Sequence, residues 1–240
     1  MRRAIYLLRN LRKTERGAKQ FLTCTTVRTA PFALLILSYG LPGAVVLDRM
    51  AVIVGKHVIK ESDIERDLRL TEFLNGQPLD LSPAAKHQAA ERLIDQEIIR
   101  REIATGSYQR PSESEAAEFL DRLRRDRFGG SVSRLREALA RYGLTEDDLR
   151  QQLLWQLTVL RFIDQRFRVG VLVTDEEVRA YCEQHLTELR RQYPTASNCE
   201  ALAPKTKSLL EGERINQNFN EWLAQARKSD RIEYRQEAFQ

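Results

Sequence analysis

Glycine and proline are scarce in this chain, and their scarcity most limits the folds that it can adopt. They supply 11 and 7 of the 240 residues, against roughly 12% in an average globular protein. A β-sandwich needs many tight turns, which these two residues form most readily. The sequence therefore favours long helices. Its three cysteines are too few for a fold held together by disulfides.

Helix start and stop signals recur along the chain. A Ser or Thr followed three residues later by an acidic residue is typical of a capping box, and this spacing occurs at Ser62, Thr145 and Thr174. The predicted helices span about 62–74, 83–105, 112–128, 131–142, 145–168, 174–191 and 205–227, with a loop at 193–204. The main apolar stripe of the longest helix is Leu149, Leu153, Leu157, Leu160 and Phe167. Trp155, Phe162 and Ile163 lie outside that stripe, so we expect contacts on more than one side.

Two short β-branched runs precede the first helix. Ala51–Val54 and His57–Ile59 flank the pair Gly55-Lys56, a spacing that predicts a two-residue hairpin. Residues 231–235 alternate with period two and predict a closing strand that pairs with this hairpin. The predicted fold is mainly α, with a small β-hairpin at its start joined by a C-terminal strand.

The positive charge of the chain is concentrated at its N-terminus. Residues 1–47 hold eight basic residues and one acid, a net charge of +7, whereas residues 48–240 carry −2. Binding of nucleic acid needs cations clustered on one face of the fold, and the predicted helices mix both signs. The sequence therefore argues against a nucleic-acid partner.

A short uncharged, apolar segment follows the basic residues. It begins at Pro31 and ends near Leu47, a pattern typical of a secretory signal. We predict a signal peptide over 1–44, cleaved after Ala44, and one helical domain over 45–240. Translation could instead start at Val27. A retained membrane anchor and a buried core helix are the two other interpretations, although spanning a bilayer needs about 20 apolar residues.

Export would place Cys182 and Cys199 in an oxidising compartment. Two unpaired, partly buried thiols is the simpler expectation, and a disulfide between them stays open because sequence alone does not give their separation. The histidines His57, His87 and His185 have no partner at metal-ligand spacing. We therefore predict no catalytic residue, no metal and no cofactor.

The order of several motifs resembles the SurA-type periplasmic chaperones and their PpiC-like prolyl-isomerase relatives. The resemblance covers about residues 48–240. It is carried by the segments Met50–Asp63, Glu91–Ile99, Tyr142–Arg150, Val171–Val178, Ile215–Ala224 and Ile232–Tyr234. It implies a SurA N-terminal-like helical domain in which a helix and strand over 205–236 return to the N-terminal hairpin. Only about 193–205 stands where the family usually carries a parvulin isomerase domain.

The resemblance implies an ATP-independent periplasmic chaperone, which binds unfolded polypeptides and outer-membrane protein precursors through an apolar groove. The candidate groove residues are aromatic or aliphatic and lie on predicted helices: Phe73, Leu74, Phe119, Leu123, Phe128, Trp155, Val159 and Phe162. Ordinary core packing is the competing interpretation for each of them. Two other functions stay open, a residual prolyl isomerase and a protein anchored in the inner membrane by a retained N-terminal segment, which would then provide the membrane contact.

Overall fold

The computed structural model describes residues 48–239 apart from 195 and 197. The predicted signal segment 1–44 lies outside these residues. The described chain is mainly α-helical with one small sheet, which confirms the predicted fold class. Its elements are β1 (Met50–Val54), β2 (His57–Lys60), α1 (Glu61–Asn75), α2 (Pro83–Thr105), α3 (Glu113–Phe128), α4 (Val132–Ala140), α5 (Glu146–Phe167), α6 (Asp175–Gln192), α7 (Cys199–Ser229), β3 (Ile232–Tyr234) and a 3-10 helix (Gln236–Phe239).

The three strands form an antiparallel sheet in the order β2-β1-β3. Gly55 turns the hairpin with a φ of 61°, a conformation that glycine adopts without strain. Its N–H donates to the carbonyl oxygen of Arg231 at 2.9 Å, and Val52 lies opposite Tyr234 in the register. The last strand of the chain thus pairs with the first, as the alternation over 231–235 predicts.

Most helix starts follow the local sequence, but α1 does not begin as predicted. The capping boxes at Thr145 and Thr174 are both formed. Ser62 lies inside α1, which begins at Glu61, and the side chain of Asp63 accepts a hydrogen bond from the Lys60 N–H at 3.0 Å. The Ser62 hydroxyl donates instead to Asp48 at 2.6 Å. The Asp48 carboxylate also accepts from the Ser62 N–H at 3.2 Å. An acid outside the helix therefore satisfies a donor of its first turn, and the helix starts one residue earlier than expected.

Three of the four apolar clusters in the described chain join the sheet and most of the helices. The first joins the sheet to α1, α2 and the 3-10 helix. The second joins the C-terminal half of α1 to α3, α4 and the start of α5. The third joins the end of α2 to the end of α5 and the middle of α7. Because α5 contributes to the second and third clusters, it is contacted on more than one side.

Helix α7 begins earlier than predicted, at Cys199. The side chain of Asn198 accepts a hydrogen bond from the Ala201 N–H at 2.9 Å and caps the helix. Pro204 lies inside the helix, where it removes one backbone donor. The loop is therefore shorter than the predicted 193–204. The prediction was wrong because it took Pro204 as part of the loop, whereas Pro204 lies inside α7.

Cys182 and Cys199 are joined by a disulfide, with 5.7 Å between their Cα atoms. The expectation of two unpaired thiols is therefore wrong. The bond links α6 to the first residue of α7, beside the buried side chains of Leu189 and Leu202. It was missed because the pairing depends on how α6 folds back along α7, which no local pattern specifies.

Candidate polypeptide-binding surface

Five of the eight candidate residues lie together in the second apolar cluster. Phe73 and Leu74 come from the end of α1, and Phe119, Leu123 and Phe128 come from α3. The rings of Phe73 and Phe128 are stacked with their centres 6.3 Å apart. The ring of Tyr142 meets Phe73 edge-on at 5.7 Å, a favourable aromatic geometry.

Within this group, burial separates core residues from surface residues. Phe73 and Leu123 are buried, whereas Leu74, Phe119 and Phe128 keep part of their side chains exposed. We call Leu74, Phe119 and Phe128 the aromatic surface. A partner polypeptide could contact these three side chains without disturbing the core beneath them.

The end of α1 is held in place by an arginine of α3. Nη2 of Arg127 donates to the carbonyl oxygen of Leu74 at 2.7 Å, and its Nη1 to that of Phe73 at 3.4 Å. Both carbonyls lie in the last turn of α1, and that of Phe73 also accepts from the Gly76 N–H at 3.2 Å. Desolvation by burial lowers the pKa of Arg127. The guanidinium therefore fixes the position of the aromatic surface at an electrostatic cost.

A shallow cavity lies on the same cluster, between the end of α4 and the start of α5. Its volume is about 340 Å³, and it is lined by Arg136, Leu139, Leu144, Thr145 and Glu146. Arg136 and Glu146 form an ion pair of 2.9 Å at this site. The sequence interpretation missed it, although the apolar residues on either side of the Gly143 turn were a usable signal.

The other three candidates lie in the third cluster. Phe162 is only 1% exposed, and its ring meets those of Phe167 and Trp222 at 5.7 and 5.6 Å. Trp155 and Val159 are half-buried, and the guanidinium carbon of Arg100 lies 4.7 Å from the ring centre of Trp155. The eight candidates are thus divided between two clusters.

The apolar stripe of α5 is covered only in part. Leu149 and Leu153 are buried, but Leu157 is half-buried and Leu160 is exposed. The regular spacing of the four leucines gave no sign of this difference, because neighbouring elements cover the start of this face and its end, where Phe167 is buried, more than the part between. Leu157 and Leu160 are further apolar side chains that a partner could contact.

The histidines have structural neighbours. His87 stacks on Phe239 with 4.1 Å between ring centres, and Nε2 of His57 lies 3.7 Å from the carboxylate of Glu97. Among the residues that the structure describes, no group of His, Cys, Asp and Glu could hold a metal ion. Across the same residues, no helix has the length and apolar character needed to cross a bilayer.

These features define a class: a mainly helical protein that presents half-buried apolar side chains on its surface. Its curated relatives are chaperones. Chaperone SurA of Pseudomonas aeruginosa is 29% identical over 161 residues, which are 66% of this chain and 38% of that protein. The corresponding protein of Pseudomonas putida is 27% identical over 60% of this chain and 34% of its own length. That of Pseudomonas syringae pv. syringae is 25% identical over 82% and 50%.

The chain is therefore similar to the SurA chaperones. It spans between 34% and 50% of the length of these three relatives. No family model matches the chain.

Proposed function

We propose that this protein is an ATP-independent periplasmic chaperone that binds unfolded polypeptides, outer-membrane protein precursors among them. The aromatic surface is the binding element. The observation that carries the proposal is that Leu74, Phe119 and Phe128 are partly exposed while they pack on one common core. Similarity to proteins named chaperones supports the same assignment.

The chemistry of the surface suits weak and reversible binding. Apolar surface removed from water contributes about 25 cal/mol per Å², so a contact that buries about 100 Å² contributes only about 2.5 kcal/mol. Several such contacts hold an unfolded chain, and each one exchanges without an input of chemical energy. Release by mass action needs no nucleotide.

The link between α6 and α7 bears on the isomerase alternative. It consists of the six residues 193–198, which is too short for the sheet and pocket of a parvulin domain. No feature of the described residues favours isomerase activity over binding. We therefore propose that the protein binds polypeptides and does not act as a prolyl isomerase.

The proposed location follows from two features of the chain. The segment 1–44 has the pattern of an export signal, and the Cys182–Cys199 disulfide suits an oxidising compartment. A soluble periplasmic protein would have both an export signal and a disulfide. Membrane contact through a retained N-terminal segment is the alternative, and resistance to alkaline carbonate extraction would identify it.

The test is suppression of aggregation of a urea-unfolded outer-membrane β-barrel protein on dilution. We expect the mature chain, which is residues 45–240 after the proposed cleavage, to suppress light scattering. The double variant Leu74→Ser/Phe119→Ser should lose most of this effect. The matched control is Val169→Ser/Leu172→Ser, since these side chains are 82% and 79% exposed and lie outside the aromatic surface. Circular dichroism confirms that each variant is folded. Equal suppression by the two double variants would contradict the proposal.

A further inference from the structure

Arginines are concentrated in one part of the fold. Residues 119–143, which contain most of α3, the turn and all of α4, have seven arginines and three acidic residues. We call this segment the arginine hairpin. Its net charge is +4, whereas residues 48–240 together carry −2. The seven arginines are Arg122, Arg124, Arg125, Arg127, Arg134, Arg136 and Arg141.

Three arginines of this hairpin serve the fold. Arg127 caps α1, Arg124 pairs with Asp121 at 2.8 Å, and Arg136 pairs with Glu146. Arg122, Arg125, Arg134 and Arg141 are exposed, and within the described part of the chain none of these four has a carboxylate partner. Many arginines in the other helices form internal ion pairs. They include Arg66, Arg69, Arg92, Arg101, Arg161, Arg166, Arg168, Arg214 and Arg227.

Three of these four arginines, Arg122, Arg125 and Arg134, border the aromatic surface. The guanidinium carbon of Arg122 lies 4.3 Å from the ring centre of Phe119. Arg125 precedes Phe128 by three residues on α3, so both lie on neighbouring positions of one helix face. The guanidinium of Arg134 lies beside Gly129, the residue after Phe128: a Cβ placed on Gly129 would be 3.9 Å from Nη1 of Arg134.

We infer that the arginine hairpin selects polypeptide segments in which Asp or Glu residues flank an aromatic residue. The inference rests on the proposed function. The aromatic side chain of the bound segment packs on the aromatic surface, while its carboxylates accept hydrogen bonds from the neighbouring guanidiniums. Arginine suits this role because its planar group donates paired hydrogen bonds to a carboxylate.

An anionic bilayer is a second kind of negatively charged partner, and the structure favours the polypeptide. A helix that lies on a membrane needs a broad apolar face beside its cations. Val132, at 38% exposure, is the most exposed large apolar side chain of the hairpin, and Asp121 and Asp126 interrupt the arginines. Such a surface fits an extended polypeptide that carries both aromatic and acidic side chains.

The test compares two fluorescent peptides by anisotropy. Both have the same core of alternating tyrosine and phenylalanine, flanked by aspartate in one and by lysine in the other. We expect the aspartate-flanked peptide to bind the mature chain about tenfold more tightly at 50 mM salt. The difference should shrink at 300 mM salt, where exposed charges are screened.

The variant Arg122→Gln/Arg125→Gln/Arg134→Gln should reduce this preference to less than about twofold. Its matched control is Arg179→Gln/Arg191→Gln/Lys207→Gln, which removes the same charge from exposed positions on α6 and α7 and should keep the preference. Equal affinities of the two peptides, or a preference that survives in the hairpin variant, would overturn the inference.

Two further outcomes separate the possible failures. If neither peptide binds, the proposed function fails and the selectivity fails with it. If the peptides bind equally but the chain sediments with phosphatidylglycerol vesicles and the hairpin variant does not, the hairpin serves a bilayer and the inference is overturned.

Discussion

Arg227, near the end of α7, pairs with Glu91 of α2 at 2.5 Å. The same guanidinium also contacts Asp95, and the Tyr234 hydroxyl donates to Glu91. A helix and a strand from the C-terminus of the chain are thus attached to a helix near its start. This network, together with the β1–β3 pairing, returns the last elements of the chain to its N-terminal hairpin.

Replacing Arg227 should loosen this attachment. Arg227→Met removes the guanidinium that pairs with both Glu91 and Asp95, and these two carboxylates are partly buried. We expect the free energy of unfolding to fall by about 1–2 kcal/mol in urea denaturation. Arg231→Met is the control, because its ion pair with Glu233 is exposed, and it should change stability by less than about 0.5 kcal/mol. Equal losses of stability in the two variants would contradict the role of Arg227 in attaching α7 to α2.

The disulfide should stabilise the α6–α7 pair. Cys182 and Cys199 are 17 residues apart, and a bond that closes a loop of this size contributes about 3 kcal/mol. Addition of reductant should therefore lower the urea midpoint of the mature chain. Cys182→Ala/Cys199→Ala should start from the lower midpoint and should not respond to reductant. An unchanged midpoint in the double variant would show that packing alone holds the pair.

The pH dependence of stability should include a contribution from Tyr234. Desolvation raises the pKa of its hydroxyl to about 12, and the hydrogen bond to Glu91 adds to the effect. In the unfolded chain a tyrosine has a pKa of about 10, so the folded state holds this proton more tightly. The stabilisation is complete below pH 10 and is lost as pH rises from about 10 to about 12.

Urea denaturation at a series of pH values between 9 and 11.5 measures this contribution. The matched variant is Tyr234→Phe, which keeps the ring but has no ionisable group. Its stability should fall less steeply with pH than that of the parent chain. Parallel pH profiles for the two proteins would show that Tyr234 ionises alike in the folded and unfolded states.

Arg127 should be needed to hold the end of α1. Arg127→Met leaves the carbonyl oxygens of Phe73 and Leu74 without this donor, so we expect a loss of about 1–2 kcal/mol in stability. The control is Arg125→Met on the same helix, an exposed arginine whose replacement should cost less than about 0.5 kcal/mol. If Arg125→Met proves equally harmful, the capping role of Arg127 is not supported.

Local sequence signals predicted the helices where the signal and its partner are close in the chain. Ser112, Thr145 and Thr174 cap their helices because the acidic residue three positions later completes each box. The expected box at Ser62 does not form, because α1 begins at Glu61 and the Asp48 carboxylate accepts from both the N–H and the hydroxyl of Ser62. Pro204 suggested a loop, but the cap at Asn198 starts α7 before it.

The surface was harder to predict than the fold. Phe119 and Phe162 have the same aromatic character in the sequence, yet one is half-exposed and the other is buried against Phe167 and Trp222. A partner cannot reach Phe162 because α2 and α7 pack on this part of α5. A periodic stripe specifies the side of a helix that is apolar, but not the neighbour that covers it.

Site-specific photocrosslinking tests the central claim most directly. A photoreactive phenylalanine analogue is placed at Phe119, Phe162 or Leu172, and each protein is irradiated with a urea-unfolded outer-membrane β-barrel protein just after dilution. The account predicts strong crosslinks from position 119 and weak ones from the buried position 162 and the exposed position 172. Crosslinks of equal yield from all three positions, or from position 172 alone, would contradict it.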